Sequence, residues 1–359
     1  MAKKIDEGTY GCIFRPGINC DGTANSDKYI SKIQLKMERT MNEPIIGKLI
    51  TDKIKHASRY FAPALSVCKA TLTKINKNEL GKCEAIKFKK ATDEFVSIKV
   101  KYVGKDNLEE NMDKHQVKDK VSFLLHMMDT HQYLAEAISE LEKQQIVHHD
   151  IKSNNVMYSD SQNVPIIIDF GVSFQLKDLY KEEALQDIFF SAYEKYPPWC
   201  LEITFIAAII KDPGWETKKV DLKILGKHLS TFIEKNPVIS LITNSVEHQT
   251  GMERSWTNYL KTFENDTGKI AVNRLLETWN TWDLYSIHVM FISFMHTGKW
   301  LKRRHHPCVK PYINYVISQI QLVPKERDDP ATTVEKIEKI RGKIKRSDFV
   351  DFVKEQTNF

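Results

Sequence analysis

His148-His149-Asp150-Ile151-Lys152-Ser153-Asn154-Asn155, followed by Asp169-Phe170-Gly171, is the stretch from which the rest of the chain can be read. Phosphoryl transfer needs a carboxylate to orient the attacking hydroxyl, a cation for the moving phosphate, and oxygen ligands for magnesium. Asp150, Lys152 and Asn155 offer one of each within a single loop. Asp169 lies 14 residues beyond Asn155 and supplies a second hard oxygen ligand. A lone Asp-Phe-Gly is a weak signal and a lone polar loop is weaker. Together, in this order and spacing, they are specific.

The flanking sequence frames this loop. Before it, Val121, Leu124, Leu125, Met128, His131, Leu134, Ala135, Ile138 and Leu141 share one helical face, which predicts a long amphipathic helix over 118–144. After it, Val156-Met157-Tyr158 and Pro165-Ile166-Ile167-Ile168 bracket a polar cluster and predict a hairpin. Upstream, Tyr29–Ile33, Ala85–Phe88 and Phe95–Val100 read as strands. A helix carrying Ile45, Ile46, Leu49, Ile50 and Ile54 lies between the first two of these, with Thr40 to Glu43 as its capping box and Pro44 in its first turn. Residues 101–108 suit a hinge, and the chain beyond 203 reads as helical almost to its end.

Composition sets outer bounds. The chain has 359 residues, which points to two lobes or domains, and its net charge of +6 selects no partner class. The cysteines, Cys12, Cys20, Cys68, Cys83, Cys200 and Cys308, are scattered without a C-x-x-C pair. That argues against a disulfide framework or a zinc site and for a reducing compartment. Without an apolar leader after Met1 or a run of 18 apolar residues, the expectation is a cytoplasmic protein with no signal peptide and no membrane span.

With these motifs in place the chain resembles the eukaryotic protein kinase family. Glu7-Gly8-Thr9-Tyr10-Gly11-Cys12-Ile13-Phe14 is similar to its glycine-rich loop, with Asp6 where the family has its first glycine. The first strand must then be very short. The resemblance implies nucleotide contacts from Ile5, Gly8, Thr9, Tyr10, Gly11 and Ile13. Ala85-Ile86-Lys87 matches the family's lysine strand by letters but follows the helix, whereas Lys32 on Tyr29-Ile30-Ser31-Lys32 falls in the family order and is preferred. Lys87 and Lys99 are then solvent-facing strand lysines. Glu43, with Glu38 as the rival, is the expected partner of Lys32. Tyr196-Pro197-Pro198-Trp199-Cys200-Leu201-Glu202, Trp282-Asp283-Leu284-Tyr285-Ser286 and Pro324-Lys325-Glu326-Arg327 resemble later family segments, which implies a buried Glu202–Arg327 pair and an Asp283 bracing the catalytic loop.

The implied fold is α+β and bilobal: an N-lobe over 1–103, small and β-rich with one main helix, and a mostly helical C-lobe over 104–202 and 276–330. Residues 203–275 form a helical insertion carrying Leu222, Leu225, Leu229, Phe232 and Ile233, and 331–359 an amphipathic tail helix carrying Ile337, Ile340, Ile344, Phe349 and Phe352. The implied activity is ATP-dependent phosphorylation of protein Ser/Thr hydroxyls. Asp150 and Lys152 are catalytic, Asn155 and Asp169 hold Mg2+ (or Mn2+), and Lys32 grips the nucleotide. Lys152 resembles Ser/Thr-specific members, and Val172 hints at threonine. The resemblance also puts Val100 at the gatekeeper position and Tyr102 in the hinge. His149 replaces the arginine that clamps a phosphorylated loop in many members, so activity without phosphate at Ser173, Ser191 or Thr204 is expected. The early glycine loop, Tyr-Ile-Ser-Lys and the insertion look like kinases encoded by large double-stranded DNA viruses, which would place the chain in host cytoplasm or a virion. Alternatives are a pseudokinase scaffold that uses the insertion, or an aminoglycoside- or choline-type small-molecule kinase. The basic runs at Lys302 to His306 and Arg341 to Arg346 read as solvated faces, which disfavours a nucleic-acid partner. Oligomeric state is left open.

Overall fold

A computed structural model describes residues 2–345, apart from 9–10, 22, 25, 88–89, 91, 119 and 244–245. The chain divides into two compact units, Met1–Asp106 with Asn155–Ser173, and Asn107–Asn154 with Phe174–Phe359. The sequence division instead put all of 104–202 in one lobe. Residues 155–173 join the N-terminal ones because Ile167 N donates to Tyr60 O at 2.9 Å and Ala62 N donates to Ile167 O at 3.0 Å.

The first unit is built on a five-stranded antiparallel sheet. Its elements are β1 (Lys3–Gly8), β2 (Gly11–Arg15), β3 (Tyr29–Leu35), α1 (Glu38–Lys53), β4 (Ala64–Lys69), α2 (Lys77–Leu80), α3 (Glu84–Lys87) and β5 (Phe95–Lys101). The strand order is β1-β2-β3-β5-β4. Alternate residues of a strand point to opposite faces. Ile33 and Phe95 thus join Cys12, Phe14 and Ile86 in one apolar layer, while Ile30, Ile98 and Val100 join Ala64 and Met41 in another. Lys32 falls on the face that carries Met41 of α1, which turns it toward that helix. Gly47 lets α1 close on β4, since a Cβ there would sit 2.5 Å from Ala64 O. Val156–Tyr158 and Pro165–Ile167 pair as the expected antiparallel hairpin.

Cys12 is bonded to Cys83 and Cys20 to Cys68, so a disulfide framework exists, and Cys200 and Cys308 stand outside it. The partners are 71 and 48 residues apart, and the sheet brings together what spacing could not reveal. Residues 84–87 form a helix rather than a strand, with Ile86 buried and Lys87 exposed. Four residues carry too little periodicity to separate the two, and Phe88 lies outside the described residues. β4 went unread. β1 has six residues and is not very short. α1 starts at Glu38, so Thr40 is its third residue and bonds back to Met37 N at 2.9 Å, while Pro44 lies inside the helix. The capping box therefore sits one turn earlier than the sequence placed it.

The second unit is helical. Its main elements are α4 (Leu108–Lys118), α5 (Lys120–Lys143), α6 (Glu182–Ile188), α7 (Leu201–Ile210), α8 (Leu222–Lys235), α9 (Pro237–Ile242), α10 (Val246–Lys261), α11 (Gly268–Leu276), α12 (Trp282–Thr297), α13 (Lys310–Gln321) and α14 (Pro330–Gly342). α5 matches the predicted amphipathic helix, but the expected hinge runs directly into α4. α12 buries thirteen of its sixteen residues and packs against α5 and α13, with α14 on α5. α8 buries Leu225, Leu229, Phe232 and Ile233 and keeps Leu222 half-buried. Phe349 and Phe352 of the tail lie outside the described residues. No described helix is long and apolar enough to cross a membrane.

Glu202 on α7 is fully buried, and Arg327 answers it with two parallel bonds of 2.6 and 3.1 Å. Removing one partner of such a pair strands a charge in the core. Arg327→Leu is therefore expected to cost about 3–5 kcal/mol, read as a lowered urea midpoint, with partial recovery in Glu202→Leu/Arg327→Leu. An unchanged midpoint in the single variant would contradict this.

Candidate active site

In the first unit, Lys32 Nζ lies 2.7 Å from Glu43 Oε1 and 2.8 Å from Asp169 Oδ1. Lys32 and Glu43 are buried, while the Asp169 side chain is nearly half exposed, and the rival Glu38 faces solvent. Burial alone would lower the lysine pKa. The charges of Glu43 and Asp169 outweigh it and raise that pKa, so the ammonium persists. Asp169 adopts a left-handed φ of 65°, and Phe170 beside it is buried edge-on against Phe61 at 6.0 Å. Asn155 is buried, and its carbonyl accepts Ile168 N at 2.9 Å, which ties the loop to the approach of Asp169. Asn42 of α1 donates to Gly171 O at 3.1 Å and Ser173 O at 2.6 Å, fastening the chain just past Asp169.

The glycine hairpin belongs to the same unit. Gly8 pairs with Gly11, and Thr9 and Tyr10 between them lie outside the described residues. The two glycines serve different ends. A Cβ on Gly11 would fall 1.9 Å from Ile33 O, so sheet packing demands that glycine; a Cβ on Gly8 would meet nothing nearer than 4.0 Å. Ile5 is exposed, and Ile13 is half-buried opposite Lys32. Val100 is buried, and Tyr102 lies beneath the Arg15 guanidinium.

In the second unit, His148 N and His149 N donate to the buried Asp283 carboxylate at 2.6 and 2.8 Å. Asp150 follows at the rim. Lys152 Nζ is 2.8 Å from Asp150 Oδ2, and Tyr196 Oη donates to Asp150 Oδ1 while accepting from Lys152 at 3.2 Å. Burial, and then the charge of Asp150, hold the Tyr196 phenol well above its ordinary pKa, so it stays a donor. His149 is fully enclosed by aromatic rings: Trp199 stacked at 5.0 Å and Phe174 and Phe189 edge-on at 5.3 and 5.9 Å. Trp199 Nε1 donates to His149 O at 2.8 Å.

The sequence model of the protein tyrosine and serine/threonine kinases matches residues 1–196, a span that runs from the glycine hairpin through Tyr196. The chain belongs to that family. No curated protein matches it. A β-rich N-terminal sheet with one main helix, followed by a mostly helical remainder, is the fold of a bilobal protein kinase. Sequence reasoning named Lys32, Glu43, Asp150, Lys152, Asn155 and Asp169, and the structure places them in two sets, one within each unit. It missed the parts played by Asn42, Trp199 and Tyr196. The hydroxyl and indole N–H of Tyr196-Pro197-Pro198-Trp199 were the available signal, since buried polar tips of aromatic residues seek partners.

Burial lowers the pKa of His149 to about 4, so the kinase keeps this imidazole neutral. Its stability contribution is complete above the unfolded value of about 6.5 and is lost as pH falls from there toward 4. Urea titrations should show a decline over that window worth up to roughly 3 kcal/mol for this residue. His149→Phe keeps an aromatic ring, takes up no proton and should flatten the slope by that share. An equal slope in both proteins would refute the assignment.

Proposed function

We propose that the kinase transfers the γ-phosphoryl group of ATP to serine and threonine hydroxyls of protein substrates. The observation that carries this reading is Lys32 held between Glu43 and Asp169. A buried ammonium with two carboxylates is fixed in direction and charge, as a grip on the α- and β-phosphates requires. Gly8 and Gly11 bring the hairpin backbone over the phosphates.

Asn155 and Asp169 fit a magnesium ion: both offer hard oxygen donors, and the Asp169 carboxylate is accessible. Magnesium, when bound, neutralises phosphate charge, and manganese takes the same donors. The chain's own residues do the rest. Asp150 accepts a hydrogen bond from the acceptor hydroxyl and takes its proton late. Lys152, already on the second oxygen of Asp150, offsets charge on the moving phosphoryl group. Catalysis is then positioning and electrostatics.

The serine/threonine preference rests on Lys152 two residues past Asp150, and the kinship with large-DNA-virus kinases on the motifs quoted above. The neutral aromatic box around His149 supports independence from loop phosphorylation, because it leaves no cation there for a phosphate.

Asp150→Ala should lower transfer by about 10²- to 10⁴-fold, with nucleotide affinity by calorimetry unchanged. Phosphatase-treated enzyme should retain magnesium-dependent activity on a serine/threonine peptide library. Wild-type turnover in the variant would sink the assignment of Asp150, and silence after phosphatase would sink the reading of His149.

A further inference from the structure

Residues 190–200 run irregularly between α6 and α7, and two helices from beyond α7 hold them. The Glu194 carboxylate pairs with His228 Nδ1 of α8. The Glu194 carbonyl accepts Asn236 Nδ2 at 2.9 Å. Asn236 is completely buried, and its Oδ1 also accepts Val238 N at 3.0 Å and Ile239 N at 3.3 Å. One side-chain amide thus caps α9 and holds the loop. The loop's own turns carry that hold onward: Tyr196 N donates to Tyr193 O at 3.0 Å, and Trp199 N to Tyr196 O at 3.2 Å. Two residues past Glu194, Tyr196 bonds both Asp150 and Lys152.

The support is rigid. Asp221 caps α8 by accepting from Lys223 N and Ile224 N, and Leu225, Leu229, Phe232 and Ile233 anchor its inner face. Side chains on helices hold a site more closely than side chains on loops. The ordering entropy of the segment is met when the helices pack and need not be supplied by a later modification.

We infer that α8 and α9 are a built-in brace for this segment, with His228 and Asn236 as positioning residues that set Asp150 and Lys152 through Glu194 and Tyr196. The inference rests on the reading of Asp150 given above. It assigns a task to part of 203–275, the stretch that sequence comparison left without one.

The test is steady-state kinetics on the full chain, with ATP and a degenerate serine/threonine peptide library varied separately. His228 is partly exposed, so His228→Ala opens no deep cavity. Asn236→Ser keeps an oxygen to cap α9 but loses the amide donor to Glu194. Both should lower kcat about ten- to a hundredfold. KM for ATP should stay where it is in both variants and the unfolding midpoint in His228→Ala, and protease cleavage within 190–200 should quicken. His228→Gln, which can still donate to Glu194, should recover part of the loss. Unchanged kcat in both variants overturns the brace. So does a fall in kcat that travels with a raised ATP KM and a lowered midpoint, which marks general damage to the fold. An inactive wild type overturns the kinase reading itself, and the Asp150→Ala control then shows no difference from it.

Discussion

A buried carboxylate accepting two consecutive backbone amides is the constraint on which the loop from His148 to Lys152 depends. Burial pushes Asp283 up from the ordinary carboxylate range, and the amides of His148 and His149 oppose that shift. With both amides committed to one carboxylate, the peptide there has little freedom. His149 then takes a left-handed φ of 69°, a conformation histidine tolerates better than most residues. That turn sends its ring into the aromatic box and leaves Asp150 at the rim. Strained backbone of this kind persists only where the surroundings over-determine it, and here Trp199 adds a bond to His149 O.

The Lys32 cluster in the first unit depends on a different balance. Lys32, Glu43 and Asp169 come from a strand, a helix and a loop, and the buried charges of Lys32 and Glu43 are tolerated because each has a partner of opposite sign. The sheet alternation that buries Ile33 on one face puts Lys32 on the other. Gly47 then lets α1 approach closely, and Asn42, on the same helix as Glu43, holds the backbone past Asp169. One helix therefore positions both ends of the lysine's environment.

Local chemistry was legible in the sequence, and long-range contacts were legible only where a motif stood for them. Asp150, Lys152, Asn155 and Asp169 sit in loops whose residue types have few other uses together, so the sequence singles them out without any help from the fold. Lys32 was found through chain order, against the better letter match at Lys87. Glu43 was chosen while its setting was misjudged: Pro44 made it look like a cap, but α1 begins at Glu38 and Glu43 lies inside the helix. Ala85 to Lys87 failed for want of length, and the pairs Cys12–Cys83 and Cys20–Cys68 failed because no local pattern encodes them. Tyr196 stands out in the sequence by the prolines beside it, while its hydroxyl bonds Asp150 and Lys152.

The disulfides change the picture of the first unit more than any other correction. That unit has one five-stranded sheet with an apolar layer on each face and long connections between its strands. Cys12 lies on the second strand of the glycine hairpin and Cys83 just before α3, so their bond ties that hairpin to the short helical segment at Glu84–Lys87. Cys20–Cys68 ties the β2–β3 connection to β4. Cross-links that close long loops act mainly by restricting the unfolded chain. They spare the sheet from relying on its small core alone, and a glutathione-buffered compartment works against them. Cys200 and Cys308 are buried in the helical unit and stand outside both cross-links.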